Sequence, residues 1–480
     1  MLVYVFSCVL LVSPLLQAVF DLPLQLAFQQ ALLLAFLAWV FVELRGADLR
    51  ALFHKKFLLL WCAAGLSLVS LLLSPFKGHI FNEWGNYAAG LLIFVYSSFL
   101  DKESRRKTDT AVLAGGWLLA AFGFAQFFIL GDFVARPPLT NLNALALYCV
   151  LVVPLALERR SWALAALLSV MVIWTQSIGA VLAGLAGAGF YAWSRIRSGE
   201  GAGNKPLLAG LLVLVIPVFY LLQADSMAGR LAWWKSAWDM FLARPLAGFG
   251  HASFTWAQAG FQGAGAFREY SIYAHNYYLE FLSENGILAA AAWFAFLWAA
   301  LRRRSGLVKY SVIAALAHSV MDFGLSVPAV FWLFCYLLAE PGERPAAAAG
   351  KPSLFPAAAV LLLEAALLLL NFRSLAFERA RREAAAAALR GDAAAAEEGL
   401  RPYLASRLFR VPALELLGRL NSVGAADRDR GFSSAVYYEM ALLENPYSAA
   451  AWRALERAYA SPGLERAAAG LAARKAGVYK

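Results

Sequence analysis

Between residues 227 and 287 the chain carries a polar, Trp- and Gly-rich stretch, MAGRLAWWKSAWDMFLARPLAGFGHASF and then YAHNYYLEFLSENGI, inside a sequence that is otherwise almost continuous apolar helix. Long polar loops between membrane spans are where such proteins commonly place their chemistry. The stretch offers guanidinium groups at Arg230, Arg244 and Arg268, a type that holds phosphate oxygens through paired hydrogen bonds. It also offers His275, whose imidazole, ordinarily with a pKa of about 6.5, can accept a proton near neutral pH. Each has a plainer reading beside it. Arg230, just ahead of Trp233 and Trp234, could be an arginine snorkelling beside an interfacial aromatic belt, and His275 could be a histidine satisfied at a helix start with Asn276 as the cap.

The remaining chemistry-bearing residues point elsewhere. Cys8, Cys62, Cys149 and Cys335 lie in apolar runs without metal-ligand spacing, so they read as small core hydrophobes and imply no disulfide framework. His318 and Asp322 are four residues apart on one helical face, a spacing open to a proton relay or half a metal site. His54 belongs to a basic cluster, and His79 and His251 have no carboxylate at metal spacing, so no metal site and no cofactor is expected. Glu284 precedes Gly286 and suits the closing of a turn at least as well as catalysis.

The elements that must carry these residues are membrane helices. Hydrophobic residues make up 61% of 480 and charged ones 15%, and mean hydropathy is +0.61, which excludes an ordinary soluble domain. The formal charge of +11 sits in short clusters beside apolar runs, where anionic lipid or the topology signal is the partner and nucleic acid is not. The apolar runs give an all-α polytopic bundle of 12–13 spans, the first at 2–19, read as a retained span and not a signal peptide, and the last at 354–370. Cations recur in alternate loops, at Arg45 to Lys56, Lys102 to Lys107, Arg159 and Arg160, Arg195 to Lys205, Arg302 to Lys309, and Arg344 and Lys351. By the positive-inside rule the N-terminus is cytoplasmic, and the 224–286 loop and the C-terminal tail face out. Residues 1–372 thus form the membrane domain. Residues 373–480, rich in Ala, Arg and Glu, form a soluble helical tail that resembles degenerate tetratricopeptide helical pairs, with a plain helical hairpin bundle equally compatible.

Five segments in order, NLNALALYCVLVVPLAL, TQSIGAVLAGLAG, GRLAWWKSAWDMFLARPLAGFGHASF, AHNYYLEFLSENG and AHSVMDFGLSVPAVFWL, resemble the O-antigen ligase and polymerase superfamily of polytopic glycosyltransferases. The resemblance implies a GT-C-like membrane fold and transfer of a glycan from undecaprenyl pyrophosphate to an acceptor hydroxyl. It places the acceptor's general base at His275 and the arginine that holds the leaving pyrophosphate at Arg230, and it implies that Asn276 orients the loop or a sugar hydroxyl and that Trp234 lies at the substrate. For His318 and Asp322 it implies a packing or hydrogen-bonding pair near the outer surface in place of a relay or metal site. Members often read T-x-S-R-G-A where this chain has Thr175-Gln176-Ser177-Ile178-Gly179-Ala180. The missing guanidinium leaves Arg268, Arg136, Arg244 and Lys77 as candidate second phosphate ligands on the predicted outer side, the alternatives being a differently bound donor or a degenerate, inactive member.

The resemblance implies an inverting, metal-independent enzyme of the bacterial inner membrane, with a lipid-linked glycan, a lipid A-core or other hydroxyl acceptor and membrane lipids as partners. A protein partner for the tail stays open. Ligase is the family's commonest assignment; O-antigen polymerase and protein O-oligosaccharyltransferase are the alternatives. From a different class, a transporter would call for paired intramembrane charges and repeated spans, which the sequence does not show, and a non-catalytic scaffold would tolerate loss of His275.

Overall fold

The computed structural model describes residues 2–42, 48–76, 79–130, 141–198, 224–262, 271–342, 354–422, 428–460 and 470–478. Among these there are nineteen α-helices and no strand, as the apolar runs predict. In chain order they are α1 (Leu2–Val12), α2 (Leu22–Val42), α3 (Leu58–Leu73), α4 (His79–Ser97), α5 (Lys102–Ala125), α6 (Leu142–Glu158), α7 (Trp162–Trp174) and α8 (Ile178–Arg197). Then follow α9 (Ala224–Ala243), α10 (Phe254–Ala257), α11 (Tyr277–Arg303), α12 (Val308–His318), α13 (Pro328–Leu338), α14 (Leu354–Leu389), α15 (Ala393–Leu404), α16 (Arg410–Ser422), α17 (Arg428–Glu444), α18 (Ala449–Tyr459) and α19 (Leu471–Val478).

Four of these helical stretches, Leu22–Val42, Lys55–Leu73, Lys102–Ala125 and Tyr277–Arg303, are long and apolar enough to cross a membrane, and shorter apolar helices pack among them. At a rise of roughly 1.5 Å per residue, some 20 residues match a hydrocarbon core about 30 Å thick. Large apolar side chains such as Phe41, Leu72, Phe122, Ile173 and Trp298 point outward, an exposure that lipid tolerates and water does not. The protein is a membrane protein. Cys149 and Cys335 are buried as expected, but Cys8 and Cys62 lie on the exposed faces of their helices. The span expected at 207–222 lies outside the described residues.

The centre of the bundle is α13, buried along its whole length and preceded by the Pro328 that starts it. Asn86 on α4 accepts from the Trp332 indole through its carbonyl at 3.0 Å, so the buried indole is satisfied. At one end of the bundle the basic clusters meet. Arg105 donates to the Ala339 carbonyl at 3.1 Å, Asp109 pairs with Arg105 and Arg159 and accepts from Tyr336, and Arg304 reaches Glu340 and the Leu337 carbonyl. Arg303 donates to the Lys56 carbonyl at this same end. Four loops that the sequence assigns to one side of the membrane therefore share one face of the fold.

Toward the opposite end, α3 presents Ser67, Ser70 and Ser74 on one helical face. They accept or donate at Trp84, Asn285, Ala247, Glu284 and Phe249, clamping the loop after α9 to the upper part of α11. The helix α14 runs without a break from the expected last span into the tail, because the Ala, Arg and Glu residues after Asn371 are good helix formers. The tail helices pack on one another around Phe377, Phe409, Tyr438 and Trp452. The tail also touches the membrane domain: Ser374 bonds Asn82 at 2.8 Å, and Tyr447 packs among Phe76, Phe249 and Phe261.

Candidate active site

His275 stands at the entrance to α11 with φ +52°, a left-handed conformation that is uncommon outside glycine and that histidine visits more readily than most residues. The residues on either side hold it there. Asn276 caps α11, its Oδ1 accepting from the N–H groups of Tyr278 and Leu279 at 3.1 and 3.0 Å. The Trp234 indole donates to the His275 carbonyl at 3.3 Å. Ala274, one residue upstream, donates its N–H to Glu280 at 2.7 Å. Asn276 and Trp234 are thereby committed to positioning His275, so the capping role that the sequence left as the plainer reading of Asn276 is the one its side chain makes.

The imidazole lies between two aromatic rings, stacked on Trp233 at 4.8 Å and edge-on to Phe323 at 4.8 Å. Its Nδ1 is buried without a hydrogen-bond partner and faces the Asp322 carboxylate at 3.8 Å, while 18% of the side chain stays open. Burial pushes the imidazole below its ordinary pKa; the Asp322 carboxylate opposes this and the Arg230 guanidinium adds to it. The ring is therefore neutral at pH 7, the form a proton acceptor needs. Arg230, on α9, is itself within electrostatic reach of Asp322.

Asp322 is fixed from both sides. Asn143, at the start of α6, donates to its Oδ2 at 2.7 Å, and the Phe323 N–H donates to Oδ1 at 2.7 Å. This departs from the pairing expected of His318 with Asp322. Both ring nitrogens of His318 lack a hydrogen-bond partner, and the ring packs 3.7 Å from where a Cβ on Gly179 would stand. The turn between α12 and α13 sends the carboxylate to His275 instead, because Asp322 lies past the last residue of the helix and the four-residue spacing no longer describes its direction. The sequence thus carried Asp322 without its partner, and Asn143 went unsingled.

The other candidates are dispersed. Arg244 donates to the Leu73 carbonyl at 3.4 Å and lies over the Phe249 ring, so its cation is engaged at the end of α3. Arg136, Arg268 and Lys77 lie outside the described residues. Ile178 opens α8 behind its Ser177 cap, and the arginine that family members often place there has no substitute on that turn. Glu284 closes the architecture: its two oxygens accept from the N–H groups of Ala252 and Phe254 at 2.8 and 2.9 Å. At Gly286, with φ +75°, a Cβ would run into the Leu246 carbonyl, so the close pairing of this kink with the Pro245–Gly250 loop requires glycine.

An imidazole that faces a carboxylate, stacks on an indole that favours its protonated form and has a guanidinium nearby is an arrangement able to exchange a proton beside an anion. Against known families, residues 163–294 match the model described as O-antigen ligase. This segment is similar to the O-antigen ligase family. The matched segment contains Arg230, Trp233, Trp234, His275 and Glu284, whereas Asn143 and Asp322 join it from either side of it. The match supports a glycosyltransferase-type reading of that segment. No curated protein matches the chain.

Proposed function

We propose that the chain is an O-antigen ligase of the bacterial inner membrane, moving a glycan from undecaprenyl pyrophosphate to a hydroxyl of a lipid A-core acceptor. The observation that carries this reading is His275 held between Trp233 and Phe323, with its Nδ1 facing Asp322 at 3.8 Å inside or beside the segment of the family match. The negative charge of Asp322, 3.8 Å from Nδ1, favours the tautomer that bears its proton there. Nε2 then takes the acceptor's hydroxyl proton as that oxygen attacks the anomeric carbon. The bond from the anomeric carbon to the pyrophosphate oxygen breaks, and the departing electron pair stays on the pyrophosphate, where the Arg230 guanidinium offsets the charge. As the proton arrives, the imidazolium gains the Asp322 carboxylate and the Trp233 face as partners.

A single displacement inverts the anomeric configuration. Asp322 is occupied by Asn143 and the Phe323 N–H, which supports a role in orientation and not as a nucleophile. In this reading guanidinium groups do the charge-neutralising work with no need of a metal, and Arg268, followed by Arg136, supplies the second phosphate contact that Ile178 lacks. The face bearing Arg105, Arg159 and Arg304 is cytoplasmic, and the His275 end and the tail are periplasmic, in keeping with the positive-inside rule.

The test is transfer by the purified protein, in lipid nanodiscs, from a polyprenyl-pyrophosphate glycan. His275→Ala is expected to lose roughly 10²–10⁴-fold in rate, the usual worth of a general base, while folding as wild type. Undiminished transfer by this variant rejects the mechanism. In cells lacking the protein, a ligase leaves free lipid-linked polymer, a polymerase leaves single repeats, and a protein glycosyltransferase leaves the lipopolysaccharide unchanged.

A further inference from the structure

On the far side of the His275 site lies a cavity of about 610 Å³, bounded by α2, α4, α11, the loop after α9 and two tail helices, α14 and α16. Its size falls in the range of roughly 300–1,000 Å³ typical of small-molecule sites. Tyr273, which lines it, stacks on Phe323 at 4.5 Å, and Phe323 meets the His275 ring at 4.8 Å. The cavity and the proposed base are therefore back to back through one layer of aromatic rings.

The chemistry of the walls is polar and aromatic at once. Glu83, Glu280 and Glu284 all face the cavity, with no arginine or lysine of the membrane domain among the lining residues. Each carboxylate already accepts one or two hydrogen bonds, from Asn86, from Ala274 and Ser326, and from Ala252 and Phe254, and each keeps further lone pairs. The cations that line the cavity, Arg381, Arg382 and Arg419, all come from the tail, and the first two are paired with Glu378, so the walls of the membrane domain offer no cation to a pyrophosphate. Trp256, partly exposed at the wall, offers an apolar ring beside these acceptors, while the buried rings of Tyr87 and Phe331 stack on each other. Tyr87 is 3% exposed, and its hydroxyl has no hydrogen-bond partner although it sits at the cavity wall. A buried hydroxyl in that condition calls for a partner from a bound molecule.

We propose that this cavity is a saccharide-binding site that takes an uncharged stretch of glycan, belonging to the donor's chain or to the acceptor, with the tail as its outer wall. Hydroxyl-rich rings meet the requirement: their hydroxyls donate to the carboxylates and accept from the Tyr87 O–H, and their apolar faces lie on the Trp256 ring. His251 belongs to the same wall, stacked near Tyr87 at 5.0 Å; burial holds its imidazole down to about 4, so it adds a neutral hydrogen-bonding group and no positive charge at pH 7. The tail's contribution is direct, since Leu416 and Arg419 of α16 and Arg381 and Arg382 of α14 line the mouth, the last two paired to Glu378. Tyr447, wedged against Gly260 and Phe249, pins the tail in place over it. The tail thereby becomes part of glycan selection.

The proposal rests on the glycan-transfer reading for the source of its ligand, but its test does not use transfer. The full chain in nanodiscs is probed with an array of uncharged bacterial oligosaccharides released from lipid, one set from O-antigen chains and one from phosphate-free core, alongside phosphorylated glycans. Binding to the uncharged sets is expected, the set bound showing whether donor or acceptor supplies the ligand. Tyr87→Phe removes only the unpartnered hydroxyl and should fold as wild type yet bind roughly two- to tenfold more weakly, the worth of one hydrogen bond. Leu416→Trp fills the cavity from the tail and should abolish binding, while His275→Ala should bind as wild type. Unaltered binding in both cavity variants, a preference for phosphorylated glycans, or no binding of any uncharged glycan overturns the proposal. Retained transfer by His275→Ala with weakened binding by Tyr87→Phe would instead remove only the mechanism proposed above.

Discussion

Replacing Glu284 separates a structural carboxylate from a catalytic one. The side chain is 4% exposed and spans from α11 to two N–H groups of the facing loop, Ala252 at 2.8 Å and Phe254 at 2.9 Å. Glu284→Ala strands both donors. Phe254 is fully buried, so its N–H bears the whole desolvation cost, whereas Ala252 is partly open to water and bears less. At roughly 1–3 kcal/mol for a buried unsatisfied donor, the pair comes to roughly 2–4 kcal/mol. Glu284→Gln keeps one carbonyl oxygen for one of the two donors and turns an NH₂ toward the other, so its net cost is the smaller. The loosened loop continues into α9, which presents Arg230, Trp233 and Trp234 to the site. Thermal unfolding in nanodiscs, followed by intrinsic fluorescence, should show a lowered midpoint in the order Ala, Gln, wild type, with transfer falling in the same order. A wild-type midpoint for Glu284→Ala together with abolished transfer would refute the reasoning and give Glu284 a part in the chemistry.

Asp322→Asn bears on the proposed base through pH. His275 works when neutral, so the rate rises with pH through its pKa, which burial already places below the ordinary value; deleting the carboxylate that opposes this lowers it further, and the rising limb of the pH–rate profile should move to more acidic pH with a reduced maximum. A limb that stays in place, or moves toward alkaline pH, contradicts the assignment. Arg230→Lys should remain impaired with every acceptor, because a point ammonium keeps the charge and loses the planar fork; undiminished binding of undecaprenyl-pyrophosphate glycan by this variant removes Arg230 from the phosphate site. Cysteines placed one at a time at Trp256 and Arg303 report orientation: an impermeant thiol reagent added to spheroplasts should label the first and spare the second, and the reverse result inverts the topology.

Most of the architecture was legible from local signals. Membrane solvent demands helices wherever apolar runs are long, and the clustering of cations in alternate loops foretold that Lys56, Arg105, Arg159 and Arg304 would share one end of the bundle. Arg230 and His275 stand out in the sequence as candidates because each sits in a short motif, with Trp233 and Trp234 beside one and Asn276 beside the other. What tertiary structure alone decided is which distant groups complete the site. Asp322 reads in sequence as the partner of His318 at helical spacing, yet the helix ends at His318 and the following turn swings the carboxylate to His275 and to Asn143, 179 residues away. Ser67, Ser70 and Ser74, which nothing in the sequence singles out, clamp the loop after α9 and the upper part of α11. The saccharide cavity proposed here draws its walls from α4, α11 and a tail separated from them by scores of residues. Local periodicity reports only on contacts three or four residues apart, whereas these arise from the packing of whole helices, and no spacing in the chain encodes that.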